Sequence, residues 1–185
     1  MHPVFLLALR AKASAAVVLL ALLSRAPADA DRHETREQRE ELLKREADVY
    51  AEVASSLLEQ AILMALAEHE THNERAVLEG HCERSRWRCD NLHARGPWSV
   101  HAWCQKAWAL PNGSIEARRE EARCVLNQFW HGAHRGKEHA QSPLHAGFAS
   151  LGVRDWAWKG ADKRVKTTHE VERLLLKLTA SAPAP

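Results

Sequence analysis

The segment that decides the fold is Met64-Ala-Leu-Ala-Glu-His-Glu-Thr-His-Asn-Glu-Arg-Ala-Val77. It continues an apolar run that begins at Leu57 and then changes abruptly to acidic and histidine side chains. Residues three and four positions apart share one face of a helix. Glu70 therefore lies on the same stripe as Ile62 and Leu66, at the end of a surface that should face the core. A carboxyl group placed there predicts either a functional acid or a costly burial.

The two histidines of this segment, His69 and His72, do not form a zinc-protease motif. That motif is His-Glu-x-x-His, with metal ligands at positions i and i+4. Asn73 stands where the second histidine would have to be. His69 and His72 are three residues apart and could reach one ion together, but no third ligand is specified. We predict no metal site and no cofactor.

The first thirty residues have the layout of a secretory signal peptide. Arg10 and Lys12 precede an apolar run over residues 13–23, and Ala-Asp-Ala follows at residues 28–30. A basic start, a short hydrophobic core and a small-x-small cleavage site are typical of such leaders. The run is short for a membrane span, although an uncleaved N-terminal anchor is the alternative. We expect an exported protein without stable membrane insertion once the leader is removed.

The predicted organisation is a single domain between two terminal segments. We expect residues 1–30 to lie outside the fold, residues 31–179 to form the domain, and residues 180–185 to be a disordered tail. Without the leader, the chain carries equal numbers of basic and acidic side chains. This balance gives no net positive charge for nucleic acid or an anionic membrane surface, so neither is predicted as a partner. The oligomeric state stays open.

Helical periodicity dominates the rest of the chain. We predict helices over residues 34–53, from Leu57 to Glu70, from Ile115 to about Trp130, and over Lys163–Leu178, with a short segment at Leu144–Leu151. Alternation typical of a strand is absent from the sequence. The fold class is therefore all-α, with little or no β-structure.

The four cysteines predict two disulfides. An even number of cysteines in an exported chain favours disulfide bonds, and four allow three pairings. We favour Cys82–Cys89 with Cys104–Cys124, because shorter loops cost less to close. A zinc site is the alternative, but the spacings contain no Cys-x-x-Cys pair.

Two separated segments carry a resemblance to a known family. A helix rich in alanine ends in Glu70-Thr71, and Gly96-Pro-Trp-Ser-Val100 follows after the first cysteine pair. Together they resemble a divergent member of the lysozyme-like lytic transglycosylases, in which a helix ends in Glu-Ser and a Gly-Leu-Met-Gln-Val/Ile turn lines the sugar cleft. Glu70 matches the catalytic glutamate and Thr71 the serine. The turn positions Gly, Met, Gln and Val/Ile are matched in order by Gly96, Trp98, Ser99 and Val100.

The resemblance implies a lysozyme-like fold and a one-acid reaction on the glycan strand of peptidoglycan. Glu70 would protonate the glycosidic oxygen between muramic acid and glucosamine units, and its carboxylate would then act as the base. The implied location is the periplasm, the cell envelope or the extracellular space. Trp98 is expected to line the cleft. The implied substrate-binding residues are Thr71, Gly96, Trp98, Ser99, His101 and Phe148.

Departures from the family pattern leave a second hypothesis open. Ser99 replaces the glutamine, and Phe148-Ala149 replaces the Tyr-Asn of a third family segment. The alternative is a non-catalytic exported envelope protein, stabilised by disulfides, that binds a glycan or a protein partner. A hydrolytic lysozyme usually needs a second carboxylate. The sequence does not decide between transglycosylase and hydrolase.

Overall fold

The protein is predominantly helical. The computed structural model describes residues 12–27, 34–84, 86–135, 140–151 and 155–182. The chain is 74% helical, and its described part contains eight α-helices and two strands of two residues each. This confirms the prediction of an all-α chain with little β-structure.

The elements follow one another without repeats. In chain order they are α1 (Ala15–Arg25), α2 (Arg36–Val53), α3 (Leu57–Glu70), α4 (Arg75–Leu78), two 3₁₀ segments (Cys82–Arg84 and Arg86–Leu92), β1 (Ala94–Arg95), β2 (Val100–His101), α5 (Gln105–Trp108), α6 (Ile115–Arg135), α7 (Pro143–Leu151) and α8 (Asp155–Ser181). The two strands form an antiparallel hairpin, in which Ala94 pairs with His101 and Arg95 with Val100.

Helix α3 is the central element of the core. The hydroxyl of Ser56 caps its first turn by accepting a hydrogen bond from the Glu59 amide at 3.2 Å. Every residue from Ala61 to Ala67 is buried, because α2, α6 and α8 pack around the helix. The helix ends at Glu70 because His72 and Asn73 adopt left-handed backbone conformations, with φ of 54° and 52°.

The N-terminal segment differs from the expectation that residues 1–30 lie outside the fold. Helix α1 packs against α2 and α8, and it buries Val18 and Leu22 completely in the core. The side-chain amide of Gln60 pairs with both the N–H and the carbonyl of Ala13, each at 2.9 Å. An apolar leader and an apolar core helix have the same composition, so hydropathy could not separate them. Residues 1–11 and 28–33 lie outside the described part, and cleavage after residue 30 stays a prediction.

The C-terminal helix is longer than predicted. Helix α8 continues to Ser181, so the prediction of a disordered tail is wrong for Ala180 and Ser181, while residues 183–185 lie outside the described part. The physical reason is that no helix breaker occurs before the proline at position 183. Helix α6 likewise continues past Trp130 to Arg135.

Two disulfides stabilise the part of the chain around the hairpin. Cys82 bonds to Cys89, and Cys104 bonds to Cys124. Both predicted pairs are confirmed, and such bonds are typical of proteins made for an oxidising compartment. None of the helices in the described ranges combines the length and the apolar character that a bilayer span requires.

Candidate functional site

Glu70 lies at the carboxyl end of α3 and is held by the C-terminal helix. The guanidinium of Arg164 donates a hydrogen bond to Glu70 Oε1. The two side chains are 26% and 18% exposed, so the pair is partly buried but open to solvent on one side. An ion pair with arginine uses the carboxylate form of glutamate. Any reaction that needs Glu70 as an acid therefore has to open this contact first.

His69, the neighbour of Glu70, also contacts α8. Its Nε2 lies 2.9 Å from the Thr167 hydroxyl. Burial lowers the pKa of His69, and the positive charges of Lys163 and Arg164 lower it further. The imidazole is therefore neutral near pH 7, and it adds no cation beside Glu70.

Thr71 joins the end of α3 to the hairpin turn. Its side chain is fully buried, and its hydroxyl lies 3.2 Å from the Ala67 carbonyl and 3.0 Å from the Pro97 carbonyl. The two segments that carry the family resemblance are thus in contact, although they are far apart in the sequence. Because the Thr71 hydroxyl is used within the protein, its role here is to position the glutamate-bearing turn.

Trp98 is a core residue. Its side chain is 3% exposed, and its indole N–H donates to the Leu63 carbonyl at 3.0 Å. Its ring packs on Tyr50 with centroids 5.6 Å apart. The prediction that Trp98 presents an aromatic face to a cleft is wrong for this structure, because the carbonyl of α3 satisfies the indole and draws the ring inward.

The remaining predicted site residues divide between the hairpin and the core. Ser99 and His101 are partly exposed on the hairpin, and His101 Nε2 lies 3.9 Å from an Asp90 carboxylate oxygen. Phe148 is buried instead, with its ring packed edge-on against Phe129 at 5.0 Å. Phe148 therefore holds α7 against α6 and does not contact a ligand in this structure.

A buried cluster of charges, which sequence reasoning missed, lies beneath the hairpin turn. Arg118 is 1% exposed, and it contacts Glu121 at 2.7 Å and Glu46 at 3.4 Å. Arg95 of the hairpin lies 3.2 Å from the other oxygen of Glu121. A side chain at Gly96 would overlap the Glu121 carboxylate, so the turn needs glycine there, at a φ of 72°. These four charged residues form the buried charge cluster.

The sequence contained a signal for this cluster. Glu46 is three residues after Leu43 and four before Tyr50, both of which are fully buried on α2. Arg118 and Glu121 occupy the inner stripe of α6 with Ala122. Charged residues on an apolar stripe indicate buried pairs, because an isolated buried charge is too costly.

Glu46 is the titratable member of the cluster near neutral pH. Burial raises the pKa of Glu46 to about 7, while the positive charge of Arg118 acts in the opposite direction. Its Oε2 atom has no hydrogen-bond partner. A neutral carboxylic acid is therefore compatible with this site.

We expect the free energy of unfolding to decrease as the pH rises from 4.5, the ordinary value for glutamate, to about 7. In this interval the unfolded chain has lost the Glu46 proton while the folded protein still binds it, so a higher pH favours unfolding. The slope from this proton is at most about 1.4 kcal/mol per pH unit. Urea denaturation at several pH values measures the slope. The variant Glu46→Gln should reduce it, and an unchanged slope would contradict the assignment.

No metal centre is apparent at these positions. Across the residues that the structure describes, no three His, Cys, Asp or Glu side chains are grouped so that they could hold a metal ion. The chemistry of the site has to come from the side chains named above.

Comparison with known proteins does not extend this description. No protein-family model, curated protein or solved structure matches the chain.

Proposed function

We propose that the protein cleaves the glycan strand of peptidoglycan between muramic acid and glucosamine units, as an exported enzyme of lysozyme-like type. Glu70 is the single general acid and base in this proposal. The proposed location is the periplasm, the cell envelope or the extracellular space, where the substrate occurs. The two disulfides are in keeping with such a compartment.

The observation that carries the proposal is the contact between Thr71 and Pro97. The hydroxyl of Thr71 ties the end of the glutamate-bearing helix to the Gly96–Val100 turn at 3.0 Å. The resemblance rests on these two segments, which in the family form opposite walls of one sugar cleft. Glu70 itself stays partly exposed at their junction, as a group that reacts with an external substrate requires.

In the proposed reaction, Glu70 transfers its proton to the glycosidic oxygen as the bond to the muramic acid carbon breaks. The carboxylate then removes the proton from the C6 hydroxyl of the same muramic acid, and that oxygen closes an anhydro ring. Atoms and charge balance without water, and Glu70 regains its proton. Because Arg164 binds the carboxylate form of Glu70, the substrate has to displace Arg164 before the first step.

The second candidate function is a non-catalytic glycan-binding or partner-binding protein of the cell envelope. It is favoured by the ion pair that occupies Glu70 and by the burial of Trp98 and Phe148. These features leave fewer groups at the junction for orienting a sugar than a glycosidase normally uses.

Incubating the purified protein with peptidoglycan sacculi distinguishes the two functions. We expect soluble muropeptides with anhydro-muramic acid ends, identified by mass spectrometry. Products with reducing ends would indicate hydrolysis, which needs a second carboxylate and would contradict the one-acid mechanism. Sedimentation of intact protein with the sacculi, without any release, would overturn the enzymatic proposal in favour of the binding function.

A further inference from the structure

An exposed tryptophan lies beside a depression that the proposed reaction does not use. Trp103 is 49% exposed, whereas Trp98 is buried and Trp108 is partly buried. The depression has a volume of about 330 Å³ and opens broadly to solvent. Its lining consists of Trp103, Cys124, Asn127, Gln128 and His131. We call this feature the Trp103 depression.

The depression is built on a rigid base. Cys124, Asn127, Gln128 and His131 are three or four residues apart, so they share one face of α6. Trp103 directly precedes Cys104, whose disulfide to Cys124 fixes the aromatic residue against this face. A platform that is already in place loses little conformational entropy on binding.

The chemistry of the lining selects an uncharged, hydroxyl-rich ligand. The exposed indole offers a flat apolar surface, and the amide and imidazole groups of Asn127, Gln128 and His131 can each donate and accept hydrogen bonds. Gln128 donates to the Ser150 carbonyl at 3.3 Å, which restrains its amide. Among the described residues lining the depression there is no carboxylate, lysine or arginine, so nothing there would attract a phosphate or a carboxylate.

We propose that the Trp103 depression is a carbohydrate-binding site that takes a neutral sugar ring, stacked on Trp103 and hydrogen-bonded by Asn127, Gln128 and His131. A pyranose has one apolar C–H face and a rim of hydroxyl groups, which matches an aromatic surface bordered by amides. The volume lies at the lower end of the range of about 300–1,000 Å³ for ligand sites, which suits one or two sugar units. The site would hold a glycan strand independently of Glu70.

The test uses the full-length protein and tetra-N-acetylchitotetraose, a chain of four β-1,4-linked N-acetylglucosamine units. The Glu70→Gln background keeps the oligosaccharide intact. Each of the seven tryptophans contributes an indole N–H to the ¹H–¹⁵N NMR spectrum, and Trp103→Phe identifies the Trp103 resonance. We expect titration to shift that resonance progressively. No shift of the Trp103 resonance at millimolar oligosaccharide would overturn the proposal.

Calorimetric titration of variants measures the contribution of the aromatic ring. We expect Trp103→Ala to weaken binding at least about tenfold, a typical effect of removing an aromatic stacking partner. Trp103→Phe should retain part of the affinity, and Leu176→Ala, which shortens another exposed apolar residue, should retain all of it. Equal affinity of Trp103→Ala and the parent protein would contradict the site. Because these measurements do not depend on cleavage, binding can succeed where the glycosidase proposal fails, and the reverse.

Discussion

Replacing Glu70 by glutamine abolishes the release of muropeptides from sacculi while the protein stays folded. Glutamine has nearly the same shape, but it can neither donate nor take up the proton on which the proposed reaction depends. General acid–base catalysis contributes about 10² to 10⁴-fold to a rate, and a single group that serves both steps lies at the upper end. We therefore expect a loss of at least about a thousandfold in the rate of release, measured by chromatography of soluble muropeptides.

The fold should tolerate this substitution because the glutamine oxygen can still accept a hydrogen bond from Arg164. We expect the free energy of unfolding to change by less than about 1 kcal/mol, as for most partly exposed ion pairs. Glu68→Gln is the matched control, since Glu68 lies on the same helix and pairs with Arg25 at 2.7 Å. Glu68→Gln should keep full activity. Normal release by the Glu70 variant, or equal losses in both variants, would refute the assignment of Glu70.

Replacing Arg118 by alanine destabilises the protein by about 3–5 kcal/mol. Removing one partner of a buried ion pair leaves the other charge without compensation, and costs of this size are typical. Here the loss would leave Glu46 and Glu121 facing each other in the core. It would also remove the donor that bonds the Val77 carbonyl at 2.7 Å. Urea denaturation followed by circular dichroism, with the disulfides intact, measures the change.

The adjacent residue Arg119 supplies the control for this prediction. Arg119 pairs with Glu52 at 2.7 Å, but the two side chains are 35% and 45% exposed. Exposed pairs contribute about 0–1 kcal/mol, so Arg119→Ala should change the unfolding free energy only slightly. If Arg118→Ala and Arg119→Ala had similar effects, the buried charge cluster would not contribute to stability as described.

The helices and the disulfides could be predicted because the information for them is local. Apolar periodicity and capping residues such as Ser56 determine where α3 begins, and loop length favoured the pairing of Cys82 with Cys89. The end of α8 was predicted too early, because the last turns contain neither a strong apolar stripe nor a breaker. Such helix ends depend on weak local preferences and are the least predictable part of an element.

The site was less predictable because side-chain direction depends on tertiary partners. The contact between Thr71 and Pro97 agrees with the predicted proximity of the two motif segments. The inward orientation of Trp98 depends on the Leu63 carbonyl, which lies 35 residues away in the sequence. Arg164 contacts Glu70 across 94 residues, a separation at which no spacing rule operates. The buried charge cluster joins α2, α6 and the hairpin in the same way.

The packing of α1 has a consequence for the maturation of the chain. Peptidases cleave extended segments, whereas α1 is helical, and Ala13 just before it is bonded to the Gln60 amide. Removing α1 after folding would leave that amide without its two partners and would uncover Val18 and Leu22 of the core. Processing and folding therefore compete in time. A leader removed early yields a domain that closes without α1, whereas late processing leaves the leader as a permanent part of the core.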